Sequence, residues 1–121
     1  ALTSVIASND HLKDIINISV NKIYRSIPVL EKETAGFEVL SGLIDAYLRA
    51  AFDFYQNEGK AGKKNTTILN LFPEDLKAEL NRDHNTFYPL ILACLDHITL
   101  MTDSYALEMY RKIKGISIPG Y

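Results

Sequence analysis

The chain has 121 residues, 47% hydrophobic and 23% charged, with a net charge of -2. A length of this order is one domain that buries roughly two-thirds of its unfolded surface, so a core can form without disulfide or metal staples. The weak negative charge argues against binding nucleic acid or an anionic membrane through bulk charge, leaving only a local basic patch open. A single cysteine, Cys94, excludes an intrachain disulfide.

Helical periodicity dominates and strand alternation is nearly absent. Ser8, Asn9 and Asp10 are suitable N-caps, and Leu12, Ile16, Val20, Ile23 and Ile27 follow at helical spacing. The spacing predicts a helix over 9–25, broken at Ile27-Pro28 because the residue before proline is pushed out of the α region. "PVLEKETAG" reads two ways: Pro28, Glu31 and Glu33 can open a helix, whereas Thr34-Ala35-Gly36 can form a joint. Phe37, Leu40, Ile44, Tyr47, Leu48, Ala51 and Tyr55 then mark a strong amphipathic helix ending near Gln56.

"NEGKAGKKN" has no apolar anchor and reads as an exposed loop. Within it "GKAGKK" fails as a phosphate loop: its glycines are too close, no hydroxyl follows, and a helix precedes where a strand is needed. Asn65 or Thr66 can cap a short helix ending near Phe72. Pro73, Glu74 and Asp75 suit the first turn of another that runs through Leu80. "NRDHN" is a second loop. Residues Thr86 to Lys114 form one long helix or two in tandem, with Gly115 as a helix-ending C′ residue and "ISIPGY" as an extended tail. The expected fold class is therefore all-α, a bundle of about four to six helices.

Chemistry is sparse. Cys94 lies in an apolar run with nothing nearby to lower its pKa, so a buried inert thiol and a reducing compartment are expected. The N-terminus lacks the basic and apolar regions of a signal peptide, and no apolar run approaches the roughly 18 residues of a membrane span; the expected location is cytoplasmic. His11 is expected to face solvent. Asp83-His84 and Asp96-His97 lack metal-ligand spacing, since adjacent helical residues point in different directions. A compact metalloenzyme would need Asp83, His84, Asp96 and His97 to converge. No Gly-x-Ser-x-Gly elbow is present. On a continuous helix Asp96 and Asp103 would lie roughly 10 Å apart along the axis, too far to share a proton. Asp103 or Thr102 can cap a separate final helix. Asp96 sits in an apolar run, where a buried carboxylate needs a partner; Arg25 and Arg49 are the internal candidates, and another domain or subunit is the external one.

"LDHITLMTDSYALEMYRKIKG" resembles the C-terminal signature of dGTPase-like deoxynucleoside triphosphate triphosphohydrolases of the HD superfamily. Asp96, Met101, Thr102, Asp103, Tyr105, Ala106, Leu107, Tyr110 and Gly115 carry the likeness. Upstream, Tyr24, Val29, Glu33, Gly36, Leu40 and Leu43 resemble an earlier segment of that family, so the likeness spans about residues 10–116. Leu100 departs from it, standing where the family usually has Gly.

The resemblance implies a parent enzyme that hydrolyses a dNTP to deoxynucleoside and triphosphate. A divalent metal, Mg or Mn, would be held by His and Asp ligands of an N-terminal HD domain. This chain has no such constellation, so it is expected to be a C-terminal helical domain, with Ala1 a boundary inside a longer protein, no metal of its own and no activity alone. Its expected partners are its own HD domain, further copies in a homo-oligomer, and the dNTP substrate of the parent. Asp96, Thr102, Asp103 and Tyr105 would then stand at the substrate pocket or the domain junction. The alternative from another class is a free-standing helical interaction module, which would show a closed surface and an internally paired Asp96.

Overall fold

A computed structural model of the chain describes residues 9–26 and 34–117. Among them are six helices and no strand: α1 (Asn9–Ser26), α2 (Thr34–Gln56), α3 (Lys63–Leu69), α4 (Glu74–Leu80), α5 (Tyr88–Thr99) and α6 (Asp103–Ser117). The all-α bundle expected from periodicity is the observed fold.

α2 is the axis. Its 23 residues span about 35 Å at 1.5 Å per residue. From Leu43 to Phe52 every side chain except Asp45 and Arg49 is buried. A helix apolar on most of its circumference needs cover on all sides, and α1, α3, α4, α5 and α6 all pack on it. α1 contributes Leu12, Ile16 and Val20, α5 contributes Leu90, Ile91, Cys94 and Ile98, and α6 contributes Met109 and Ile113. The aromatic rings meet at defined angles: Tyr47 stacks on Phe72 with centroids 4.6 Å apart, and Phe52 meets Phe87 edge-on at 5.2 Å.

Several boundaries differ from the sequence reading. Thr34-Ala35-Gly36 is the first turn of α2 rather than a joint, while the rest of "PVLEKETAG" and the break at Ile27-Pro28 lie outside the described residues. α3 starts at Lys63, ahead of Asn65 and Thr66, and stops at Leu69, short of Phe72. The cause is Asp53: its Oδ2 accepts from the Gly62 N–H at 2.8 Å and from Asn65 Nδ2 at 2.9 Å. Asn65 is thereby used as a tether and is lost as a cap. The other oxygen of Asp53, Oδ1, accepts from Asn57 Nδ2 at 2.6 Å. The Asn65 and Gly62 bonds hold the Asp53 carboxyl below the usual carboxylate range. The glycine-rich loop thus folds around a carboxylate of its own chain.

The C-terminal third is two helices, with α5 ending at Thr99 and α6 beginning at Asp103. Leu100 caps α5 at φ -89°, ψ -4°, a right-handed geometry with no positive φ, so the turn forms without a glycine at this position. Gly115 does not end α6, which continues to Ser117. Ile113 is buried and Ile116 is half-buried against the core, so the apolar face carries the helix past the glycine.

The end of α2 stores backbone strain. Glu58 has φ +53°, and the next residue, Gly59, donates its N–H to Phe54 O at 2.9 Å. Glu58 therefore occupies the left-handed C′ position that glycine normally fills, and its negative charge faces the negative end of the helix dipole. Replacing Glu58 with Gly is expected to raise stability by about 1 kcal/mol, read as a higher urea midpoint with an unchanged m-value. A lower midpoint would contradict this geometry.

Candidate functional site

The four residues singled out from sequence lie on α5 and α6, and the structure treats them differently. Thr102 is the N-cap of α6: its Oγ1 accepts from the Tyr105 N–H at 3.2 Å, and its carbonyl accepts from the Ala106 N–H at 2.9 Å. Asp103 is the first helical residue, exposed, with its charge at the positive end of the dipole. Tyr105 is half-buried, its ring edge-on to His97 with centroids 6.5 Å apart. Thr102 and Tyr105 are thus joined by the cap, and Asp103 starts the helix between them.

Asp96 corrects the sequence reading. It lies in the apolar run, yet its side chain is exposed, because the run is amphipathic. Leu90, Ile91, Cys94 and Ile98 point inward, whereas Tyr88, Leu92 and Asp96 form an outward stripe at four-residue steps. Arg49 is not its partner, since Arg49 Nε donates to Asp45 Oδ1 at 2.8 Å. Among the described residues the Asp96 carboxylate makes no ion pair or hydrogen bond; the Asp96 carbonyl accepts from Thr99 Oγ1 at 2.9 Å. Tyr88 is 57% exposed, Leu92 43% and Leu100 84%. The outer face of α5 and the turn after it therefore carry large apolar side chains beside one carboxylate.

The inner side of the same junction holds two polar atoms that the sequence did not reveal. Tyr47 Oη and His97 Nε2 are buried, and neither has a hydrogen-bond partner among the described residues. The His97 ring lies near-parallel to Tyr47 at 6.0 Å. Burial pushes the Tyr47 phenol well above its ordinary value. Burial likewise lowers His97 below 6.5, against a smaller opposing effect of Asp75. No periodicity rule marks these residues, because their significance comes from α2 and α5 meeting in space.

Among the described residues no three of His, Cys, Asp and Glu come together, so Asp83, His84, Asp96 and His97 do not converge. His84 Nε2 donates to the Glu79 carbonyl at 2.7 Å, and His97 is turned into the core. Cys94 is fully buried, and burial pushes its thiol up to about 12. His11 is exposed, as its position in the first turn suggests. No helix of the described residues is long and apolar enough to cross a membrane.

The chain is similar to proteins named deoxyguanosinetriphosphate triphosphohydrolase-like protein in three bacteria. The likeness to those of Listeria monocytogenes and Listeria innocua is 28% identity over 120 residues, covering 92% of this chain and 26% of each relative. For the protein of Synechocystis it is 26% over 118 residues, covering 98% of this chain and 25% of the relative. The chain therefore spans about a quarter of the length of the curated relatives it matches. No protein-family model matches it, and no solved structure matches it.

Two predictions follow from the buried pair. Tyr47→Phe keeps the ring stack and removes a hydroxyl that no partner satisfies, so stability is expected to rise by about 1 kcal/mol in thermal or urea unfolding. A fall of that size would mean the hydroxyl is bonded in solution. For His97 the folded-state value is depressed, so the unfolded chain takes up the proton first as pH falls. The corresponding stability is present above 6.5 and is lost as pH drops below it, until the folded state is protonated as well. His97→Phe is expected to flatten the slope of stability against pH just below 6.5; an unchanged slope would place its origin in other groups.

Proposed function

We propose that this chain is the C-terminal accessory domain of a dGTPase-like deoxynucleoside triphosphate triphosphohydrolase. The observation that carries the reading is the similarity itself: it covers nearly all of this chain and about a quarter of relatives bearing that name. The C-terminal position rests on the resemblance of the block around Met101, Thr102 and Asp103. The parent would convert a dNTP and water to a deoxynucleoside and triphosphate. Its divalent metal, Mg²⁺ or Mn²⁺, would be held by an HD domain outside this chain.

On this reading the outer stripe of α5 is a contact face. Tyr88, Leu92 and Leu100 would be covered by the HD domain or by a second copy in an oligomer. Asp96, with no partner among the described residues, would find one across that junction. Thr102 and Tyr105 act through α6, whose first turn they organise. The free-standing module would have had Asp96 paired internally, and that feature does not support it.

The reading predicts triphosphate release by the longer protein, supplied with each dNTP and Mg²⁺ or Mn²⁺, and none by this chain alone. In the longer protein, Leu92→Glu is expected to lower activity about tenfold or more, by burying a charge at the junction. The same change should leave the melting of the isolated chain nearly unaltered, because Leu92 is there exposed. Activity of the isolated chain, or a longer protein inert with every dNTP and both metals, would sink the proposal.

A further inference from the structure

α2 is buried through its middle except for one seam. Gly42, Asp45, Ala46 and Arg49 share a face at the i, i+3, i+4, i+7 spacing, and this face lines an open cleft of about 200 Å³. α3 supplies Lys64, Asn65 and Ile68 to its walls, and α6 supplies Tyr110, Ile113 and Lys114. None of this belongs to the outer face of α5, which the proposed function uses.

The charges in the cleft do not balance. Arg49, Lys64 and Lys114 are cationic, and Asp45 is the only carboxylate in the lining. Asp45 takes only the Nε of Arg49, at 2.8 Å, so both terminal nitrogens of the guanidinium make no hydrogen bond among the described residues. Lys64 makes no ion pair there either. Lys114 sits over the Tyr110 ring, 5.7 Å from its centroid, and likewise has no carboxylate. The one amide in the lining, Asn65, is committed to Asp53. Three cations from three helices thus face one cleft, two positive charges in excess of its single acid.

The floor is rigid. A Cβ at Gly42 would meet the Tyr110 ring at Cε1 and, at 2.8 Å, at Cδ1. The tyrosine ring therefore lies against the backbone of α2, and glycine is what leaves it room. Lys114 lies over that ring and Arg49 is bonded to Asp45, contacts that lower the ordering cost of binding.

We propose that this cleft binds a small phosphoryl anion carrying several negative charges, such as an inorganic di- or triphosphate or the phosphate chain of a nucleotide. Arg49 would engage phosphate oxygens through its two free terminal nitrogens, in the fork geometry that suits them, while Lys64 and Lys114 add point charges from opposite walls. The volume is below the roughly 300–1,000 Å³ of pockets that enclose a drug-sized ligand, so the phosphate chain is the part recognised. The inference does not depend on the proposed enzymatic role.

The test is a calorimetric titration of the 121-residue chain with inorganic triphosphate and, separately, with a dNTP, with amide shifts followed by NMR. Saturable one-to-one binding is expected for at least one of the two, with shifts at Gly42 and Tyr110 and an affinity that falls with added salt. The paired change Lys64→Ala with Lys114→Ala should weaken it at least about tenfold. Arg49→Lys, which keeps the charge and loses the fork, should also weaken it, while Lys22→Ala with Lys60→Ala should not. If triphosphate binds as tightly as the dNTP, the free phosphate chain is the ligand; a tighter dNTP upholds the cleft and identifies a nucleotide as the source. Absence of saturation with both, or binding indifferent to Arg49, Lys64 and Lys114 in variants that melt like the parent chain, would overturn the proposal.

Discussion

The structure depends on the cover required by α2. Between Leu43 and Phe52 this helix offers almost no polar surface, and leaving such a cylinder in water would forfeit about 1.5–3 kcal/mol for each large side chain exposed. Every other described helix packs against it. The short helices α3 and α4, of seven residues each, are too short to be stable by themselves and owe their existence to this surface. Ile68, Leu69, Leu76 and Leu80 are their buried anchors.

The exceptions to that burial are where function has room to act. Asp45 and Arg49 neutralise each other along the helix and open onto the cleft with α3 and α6. Tyr47, on the opposite side, is buried with its hydroxyl unsatisfied beside His97. A core this apolar penalises both arrangements. The exposed pair loses little because solvent reaches it, whereas the orphaned atoms carry their desolvation cost in full. The two sites therefore differ in kind: one is a surface open to a ligand, the other a point of tension in the core.

The block around Met101, Thr102 and Asp103, which carries the resemblance to the triphosphohydrolases, has a local physical role. Met101 packs half-buried on the core, Thr102 satisfies a backbone donor at the start of α6, and Asp103 places its charge at the positive end of that helix. Together they start α6 after the short turn that follows α5. That role is local to the turn and the first residues of α6, whereas Asp96, on the outer stripe of α5, makes no ion pair or side-chain hydrogen bond among the described residues.

Periodicity and capping were enough to read the all-α class, the extents of α1 and α4 and the core face of α2 from sequence, while they left open whether residues 86–114 form one helix or two. These features depend on residues within a turn or two of one another. α3 was misplaced because its start is governed by Asp53, whose bond to Asn65 spans twelve residues. Gly115 was misread as a stop because the packing of Ile113 and Ile116 carries the helix past it. Asp96 was read as buried because an apolar run identifies a helix without saying which side of it the other helices cover. By itself, then, the sequence determined which residues share a face of each helix. Only the tertiary structure decided which faces are covered, and so turned Asp96 outward, Tyr47 and His97 inward, and Arg49, Lys64 and Lys114 toward one cleft, because that choice is made by contacts between helices distant along the chain.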